Sequence, residues 1–314
     1  MTPVAQFQGL DRVALPDSPV HMAIGIFDGV HLGHRAVIEA AVQSARRSSG
    51  VPVVLTFNPH PSVLFTPSDP TRLILDLPAK ISRLGSLGVE AVVVQPFTRA
   101  FAAVTAEEFL PLIKRHLPLL AGVYVGENFR FGQGRRGDVS MMLAEARRLG
   151  ITVFSAPRVS LDGEPISSTR IRERIRSGDM RGAAALLGYA YTAEGTAVHG
   201  KHLGRTLGFP TLNLGWSPDL RPLYGVYAVR VSGAKSYGWI PGVANYGLRP
   251  TVEDSQEPRL EIHMLAHCPY GVGDPVCVEW VRFLRPERKF AGTEELKAQI
   301  ARDVAQARAE FSLR

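Results

Sequence analysis

Apolar residues in the first half of the chain fall in short runs, at 21–26, 51–57, 91–95, 122–126 and 151–155. The runs recur at roughly 30 residues, the length of a βαβ unit, and each is short enough to be a buried parallel strand. Helical patterns lie between them. After His34, the residues Ile38, Ala41, Val42 and Ala45 recur at helical spacing until Gly50. Thr105 and Glu108 form a capping-box signature ahead of Phe109, and Asp138 can cap a helix carrying Met142, Leu143 and Ala146. Strands alternating with helices predict a parallel sheet covered on both faces.

The pattern changes near Tyr189. Short alternating runs, "TAEGTAVHG", "GVYAVRVS", "SYGWIPGVANYG", "RLEIHMLA" and "VCVEWVRFL", are punctuated by Gly, Pro and Asp, as in an antiparallel barrel. From Thr293 a last helix is predicted, with Leu296, Ile300, Val304, Ala307 and Phe311 on one face and Glu294 and Glu295 in its first turn. The expected division is therefore 1–187 and 188–314, an α/β domain with a doubly wound parallel sheet followed by an all-β barrel with a C-terminal helix. No low-complexity segment interrupts either part.

Composition narrows the possibilities. The 314 residues are 45% hydrophobic and 21% charged, as in ordinary globular proteins, and suffice for two cores. No apolar run reaches membrane-spanning length, and "MTPVAQFQGLDR" lacks the form of a signal peptide, so a cytosolic location is expected. Two cysteines, Cys268 and Cys277, are too few for a disulfide framework or a four-ligand zinc site. The net charge of +7 suits an anionic partner. Its basic residues are scattered without interleaved aromatics, which favours a nucleotide over a nucleic acid.

The candidate chemistry sits where strands end. In "GIFDGVHLGH" a strand delivers Gly29, His31, Gly33 and His34 to a helix N-terminus. Free backbone N–H groups and the positive end of the helix dipole attract phosphate there, and imidazole donors can follow negative charge as it builds. An isolated H-x-G-H is as well explained by two surface histidines, and it is neither a Walker A loop nor a G-x-G-x-x-G fingerprint. Three further polar motifs follow other strands: "TFNPHP", "VGENFRFGQGRRGD" with Asn128 and Arg130, and "ISSTRIRERI" with Ser168, Thr169, Arg170 and Arg172. In an open parallel sheet such strand ends face one crevice. In the second half, "HGKHLGRTLGFPTLNL" spaces Gly200, Gly204 and Gly208 through a basic loop, and Thr211 and Asn213 offer oxygens to a hard cation. In "RLEIHMLA", Glu261 and His263 share one strand face opposite Leu260, Ile262 and Met264; a carboxylate so placed beside a phosphate site can deprotonate an attacking hydroxyl.

Together "GIFDGVHLGH", "TFNPHP", "VGENFRFG", "ISSTRIR", "GFPTLNL" and "LEIHML" resemble the prokaryotic bifunctional riboflavin kinase/FAD synthetases, in order and over almost the whole chain. The resemblance implies an N-terminal nucleotidyltransferase that converts FMN and ATP to FAD and pyrophosphate, and a C-terminal kinase that converts riboflavin and ATP to FMN. It implies that His31 and His34 stabilise the α-phosphate transition state. Gly29, Gly33, Ser168, Thr169 and Arg172 would bind ATP phosphates, with Gly200 and Gly204 doing so in the kinase. Phe27, Asp28 and Asn128 would contact flavin or nucleotide, Thr211 and Asn213 would bind Mg²⁺ with ATP, and Glu261 would be the kinase base. One departure is Ile26, where the family usually has Asn. Two alternatives remain: a single live adenylyltransferase site beside a flavin-binding barrel, and a non-catalytic nucleotide-dependent RNA-binding protein.

Overall fold

In a computed structural model of the chain, residues 3–200, 203–248 and 258–313 are described. Parts of two expected motifs, Lys201 and His202 of "HGKHLG" and residues 249–251 of "GVANYGLRPT", lie outside them. The chain divides into two compact units, Met1–Ser168 and Thr169–Arg314.

The first unit carries six parallel strands: β1 (Ala5–Gln8), β2 (Val20–Ile24), β3 (Val51–Asn58), β4 (Ala91–Pro96), β5 (Leu120–Gly126) and β6 (Thr152–Ala156). Their order is β1-β4-β3-β2-β5-β6, with Met22 beside Val53 and Val123. A two-stranded hairpin, β7 (Ser160–Leu161) with β8 (Glu164–Pro165), follows. The five apolar runs are the five inner and far-edge strands; β1 was not foreseen, because its four residues, AQFQ, are largely exposed and carry little apolar signal. The helices are α1 (Leu32–Arg47), α2 (Pro61–Phe65), α3 (Leu77–Ser86), α4 (Arg99–Ala102), α5 (Ala106–His116) and α6 (Val139–Arg148).

Helix boundaries follow the local chemistry. Thr105 and Glu108 close both halves of the expected capping box on α5, and the Asp138 carboxylate accepts from Met141 N at 3.0 Å to start α6. Helix α1 buries Ile38, Ala41, Val42 and Ala45 against β2, β3 and β5. Phe109, Leu110, Ile113 and Met142 join Met22, Ile24, Leu55, Val93 and Val125 in one apolar cluster. Since β2 is flanked by β3 on one side and β5 on the other, the chain leaves β2 at the point where the winding reverses, which in open α/β sheets is where ligands bind.

The second unit begins with α7 (Ser168–Arg176, of which Ser168 belongs to the first unit) and α8 (Met180–Leu187). A closed antiparallel barrel follows, in the order β10-β13-β12-β11-β14-β9. Its strands are β9 (Thr192–Val198), β10 (Leu212–Gly215), β11 (Gly225–Gly233), β12 (Ile240–Gly247), β13 (Arg259–Met264) and β14 (Pro275–Arg285). A single turn, α9 (Leu203–Thr206), precedes β10, and α10 (Thr293–Glu310) ends the chain. Aromatic rings fill the small interior: Trp280 meets Tyr227 edge-on at 4.7 Å and Tyr246 at 5.6 Å. Val304, Ala307 and Phe311 of the expected α10 face pack on Val226, Ala228 and Val243. The same helix is held by Asp303, whose carboxylate takes three hydrogen bonds from Arg285 at 2.8–3.1 Å.

The periodicity change near Gly188 and the boundary between units at Ser168/Thr169 differ by two helices. Both helices pack within the second unit. Leu223 N donates to Ile175 O at 3.4 Å, α8 lies on β14, and Glu310 takes Arg181 of α8 together with Arg282 of β14. Alternation in strands announces where a barrel starts, but not which preceding helix covers it. A fragment Thr169–Arg314 is therefore expected to fold on its own. One starting at Gly188 exposes the surface covered by Met180, Ala183 and Leu186 and should melt lower, as thermal unfolding of the two fragments will show.

Candidate active sites

The turn after β2 is built under strain. Phe27 and Val30 have φ of 51° and 38°, and Gly29 has φ of 82°. Positive φ is costly for Phe and above all for β-branched Val, and such outliers persist where the surroundings enforce them. The surroundings here are polar and buried. The Asp28 carboxylate is 2% exposed and accepts from Ile74 N at 3.0 Å and Leu75 N at 3.4 Å. The Asp28 carbonyl accepts from Ser168 Oγ at 3.0 Å. The Ile26 carbonyl accepts from Thr56 Oγ1 at 3.0 Å and from Lys80 Nζ at 3.1 Å. Ile26 itself packs against the apolar cluster, so this turn is held through its backbone.

The turn delivers His31 to the N-cap of α1. His34 N donates to His31 Nδ1 at 3.3 Å, which leaves the proton of the neutral His31 ring on Nε2. The His31 and His34 rings stack at 3.6 Å with 17° between their planes, and the Phe27 ring meets His34 edge-on at 5.3 Å. A Cβ at Gly33 would lie 3.2 Å from the His31 ring, a tight approach to the stack. Burial, then His31, then Lys80 hold the His34 imidazole well below its ordinary pKa. His34 Nδ1 is buried with no hydrogen-bond partner among the described residues. The structure thus brings together Phe27, Asp28, Gly29, His31, Gly33, His34 and Ser168. Phe27 and Asp28 shape this turn from inside, since both side chains are buried.

Asn128 lies exposed just past the end of β5, with its Nδ2 donating to Glu127 Oε1 at 3.3 Å. Thr169 and Arg172 lie in the first two turns of α7, in the second unit. Aromatic residues that the sequence reading missed gather beyond β3 and β4. Phe65 is 64% exposed and meets Phe97, which pairs with Phe57 and Phe101. Also missed was Lys80, because a lysine beside Ile81 and Leu84 in a helical pattern reads as a solvated edge; it is 3% exposed.

A second constellation lies on the barrel. Asn213 of β10 and Asn245 of β12 flank Glu261 of β13 in register, a row across three strands on one face. Thr211 lies two residues before Asn213 and so shares its side of the extended chain. Asn213 is 7% exposed, its Oδ1 has no partner among the described residues, and the backbone at Gly200 runs so close to its amide that a Cβ would collide. Gly204 packs likewise on Phe209 and Thr211. Beside Glu261, His263 Nδ1–H donates to Pro210 O at 2.9 Å and its ring abuts Phe209, pinning the "GFPT" turn. Glu287 was not foreseen. Its carboxylate accepts from Asn245 Nδ2 at 3.4 Å, and burial raises its pKa.

Comparison with known proteins finds relatives of both parts of the chain. A family model for FAD synthetase matches residues 15–170 and one for riboflavin kinase matches 187–311. The chain is 38% identical over 299 residues to a bifunctional riboflavin kinase/FMN adenylyltransferase of Escherichia coli (strain K12), covering 95% of each chain. It is 35% identical over 297 residues to the protein of that name from Bacillus subtilis (strain 168), covering 93% of this chain and 92% of that one. A crystal structure described as a macrolide-efflux protein from Streptococcus pneumoniae superposes with a TM-score of 0.87 at 28% identity, covering 98% of this chain and 99% of that one. Among the described residues no helix is long and apolar enough to cross a membrane. Two domain matches in the expected order, and full-length relatives sharing both, settle the family: the chain belongs to the bifunctional riboflavin kinase/FMN adenylyltransferases, which use ATP both to phosphorylate riboflavin to FMN and to adenylylate FMN to FAD.

Proposed function

We propose that the two activities are carried by the two constellations separately, adenylyl transfer at the β2–α1 turn and phosphoryl transfer on the Asn213–Glu261–Asn245 face of the barrel. The observation that carries the first assignment is the His31–His34 stack at the N-terminus of α1, at the point where the winding of the sheet reverses. A phosphate oxygen of FMN attacks the α-phosphorus of ATP, the bond to the β-phosphate oxygen breaks, and pyrophosphate leaves. Negative charge builds on the α-phosphoryl oxygens, where the His31 Nε2–H and the helix N-terminus can meet it. The His34 imidazole, held well below its ordinary pKa, begins neutral in this reading, and the arriving triphosphate itself draws positive charge onto it. Phe27 and Asp28 act by fixing the turn, and Gly29 by its left-handed backbone. Asn128, Ser168, Thr169 and Arg172 keep the nucleotide, flavin and triphosphate roles that the motif resemblance implies. The exposed Phe65 ring beside Phe97 offers an apolar platform for an isoalloxazine ring.

On the barrel, Glu261 takes the proton of the ribityl hydroxyl as that oxygen attacks the γ-phosphorus of ATP, and ADP leaves. Gly200 and Gly204 let the backbone approach the phosphates. The unpartnered Asn213 Oδ1, with the Thr211 hydroxyl on the same side, is the oxygen set that a hard cation accepts. Mg²⁺ in this reading would be held largely through substrate phosphates and water, with few protein oxygens. Bound there, Mg²⁺ would neutralise charge on the transferring phosphoryl group. A cytosolic location goes with this reading.

The Mg²⁺ assignment has its own test. In Asn213→Ala, FMN formation should need on the order of 10- to 100-fold more Mg²⁺, the scale for losing a group that supports a metal. Conversion of supplied FMN to FAD should keep its Mg²⁺ requirement. An unchanged Mg²⁺ titration of the kinase step would remove Asn213 from the site.

A further inference from the structure

Beneath the His31–His34 turn lies a cation that the chemistry above does not use. Lysine is almost never fully buried unless paired, and an apolar residue would serve to pack α3, whose buried face otherwise consists of Ile81 and Leu84. Lys80 Nζ instead reaches through the apolar layer to the Ile26 carbonyl at 3.1 Å and to Thr56 Oγ1 at 3.5 Å; Thr56 is 0% exposed. Thr56 Oγ1 donates to the same carbonyl, so two side chains from different elements converge on the residue that opens the strained turn.

We infer that Lys80 is a positioning residue for adenylyl transfer: it grips the Ile26 carbonyl from below and sets a fixed positive charge beside His34, so that turn and imidazole pair are preset before nucleotide arrives. The inference rests on placing adenylyl transfer at this turn. Its geometry is the pair of hydrogen bonds above. Its electrostatics agree, because Lys80 acts on His34 with the same sign as burial and as His31. Asp28, on the turn, counters the burial that lowers the pKa of Lys80 itself. The charged or titratable groups acting on His34 are thus His31 and Lys80, with Asp28 acting on Lys80. A fixed cation at this depth disfavours a proton on His34 while no phosphate is present, and adds to the attraction once phosphate binds.

The test uses the full chain. Lys80→Met keeps the length of the side chain and removes the charge; Lys80→Arg keeps the charge. Lys80→Met should lower kcat for FAD formation from FMN on the order of 10²-fold, the usual loss when a preorganised electrostatic group is removed. Riboflavin phosphorylation by the same sample should be unchanged, and an unchanged melting transition of the unit Met1–Ser168 controls for folding around Lys80. In nitrogen-labelled histidine NMR, with the resonance assigned through its loss in His34→Gln, His34 should titrate at higher pH in Lys80→Met than in the wild type. Lys80→Arg should restore the wild-type titration and part of the rate. Normal FAD formation in Lys80→Met, or equal losses in both variants with the His34 titration unmoved, overturns the inference and leaves Lys80 a packing residue. FAD formation persisting in His34→Ala would overturn the placement of the reaction at this turn, and the role of Lys80 with it.

Discussion

Replacing His31 and His34 together with alanine will abolish FAD formation from FMN while riboflavin phosphorylation continues. The rings form one stacked unit at 3.6 Å, so their losses are not expected to add simply. Removing one preorganised donor to a developing oxyanion typically costs about 10²- to 10³-fold, and loss of the pair should cost at least about 10³-fold. Alanine also removes the His31 acceptor that caps α1, worth about 1 kcal/mol, so a lower melting temperature is expected as well. His31→Asn with His34→Gln separates the two effects. Asparagine is a strong N-cap and glutamine fills much of the imidazole space, so stability should return while FAD formation does not. Undiminished FAD synthesis in either double variant would remove the histidines from the reaction.

The second large effect is expected from Glu261→Gln. The side chain is half-buried and flanked in register by Asn213 and Asn245, so glutamine fits the same space. It cannot take the ribityl proton. FMN formation should fall by about 10²- to 10⁴-fold, in kcat rather than in the KM for ATP. FMN supplied directly should still become FAD at the normal rate. Normal FMN production in this variant would move the search for the base to Glu287, which holds Asn245 and whose carboxyl is raised by burial. His263 is the weaker substitute, since its Nδ1–H is committed to the Pro210 carbonyl.

What could be read from the residues alone was whatever is encoded locally. The buried strands announce themselves through apolar runs such as "VPVVL" and "AVVV", and α5 and α6 through caps whose partners lie three residues away. Glycine, histidine and the helix start in "GVHLGH" likewise fall within one turn of chain. The residues that escaped notice act over long separations or against their type. Lys80 meets Ile26 across 54 residues, and Glu287 meets Asn245 across 42. Neither separation leaves a periodic trace. The conformation of the turn was equally hidden, because Phe27 and Val30 are poor residues for positive φ and the contacts that enclose them, among them those of Asp28, Thr56, Lys80 and Ser168, come from distant parts of the chain. The edge strand β1 was missed for the opposite reason, its exposure leaving only Phe7 as an apolar signal.

The separation of the two reactions is tested most directly by following the label from ATP carrying radioactivity in either its α- or its γ-phosphate, with riboflavin or FMN as acceptor. Wild-type protein given riboflavin should form FMN labelled only from the γ-position, then FAD labelled from both. The His31→Asn/His34→Gln variant should accumulate γ-labelled FMN and place no α-label in flavin. Glu261→Gln should give neither product from riboflavin at an appreciable rate, yet should place α-label in FAD when given FMN. Appearance of α-labelled FAD in the histidine variant, loss of its γ-labelled FMN, or failure of Glu261→Gln to place α-label in FAD when given FMN, with the variant still folded, would contradict the assignment of one reaction to each constellation.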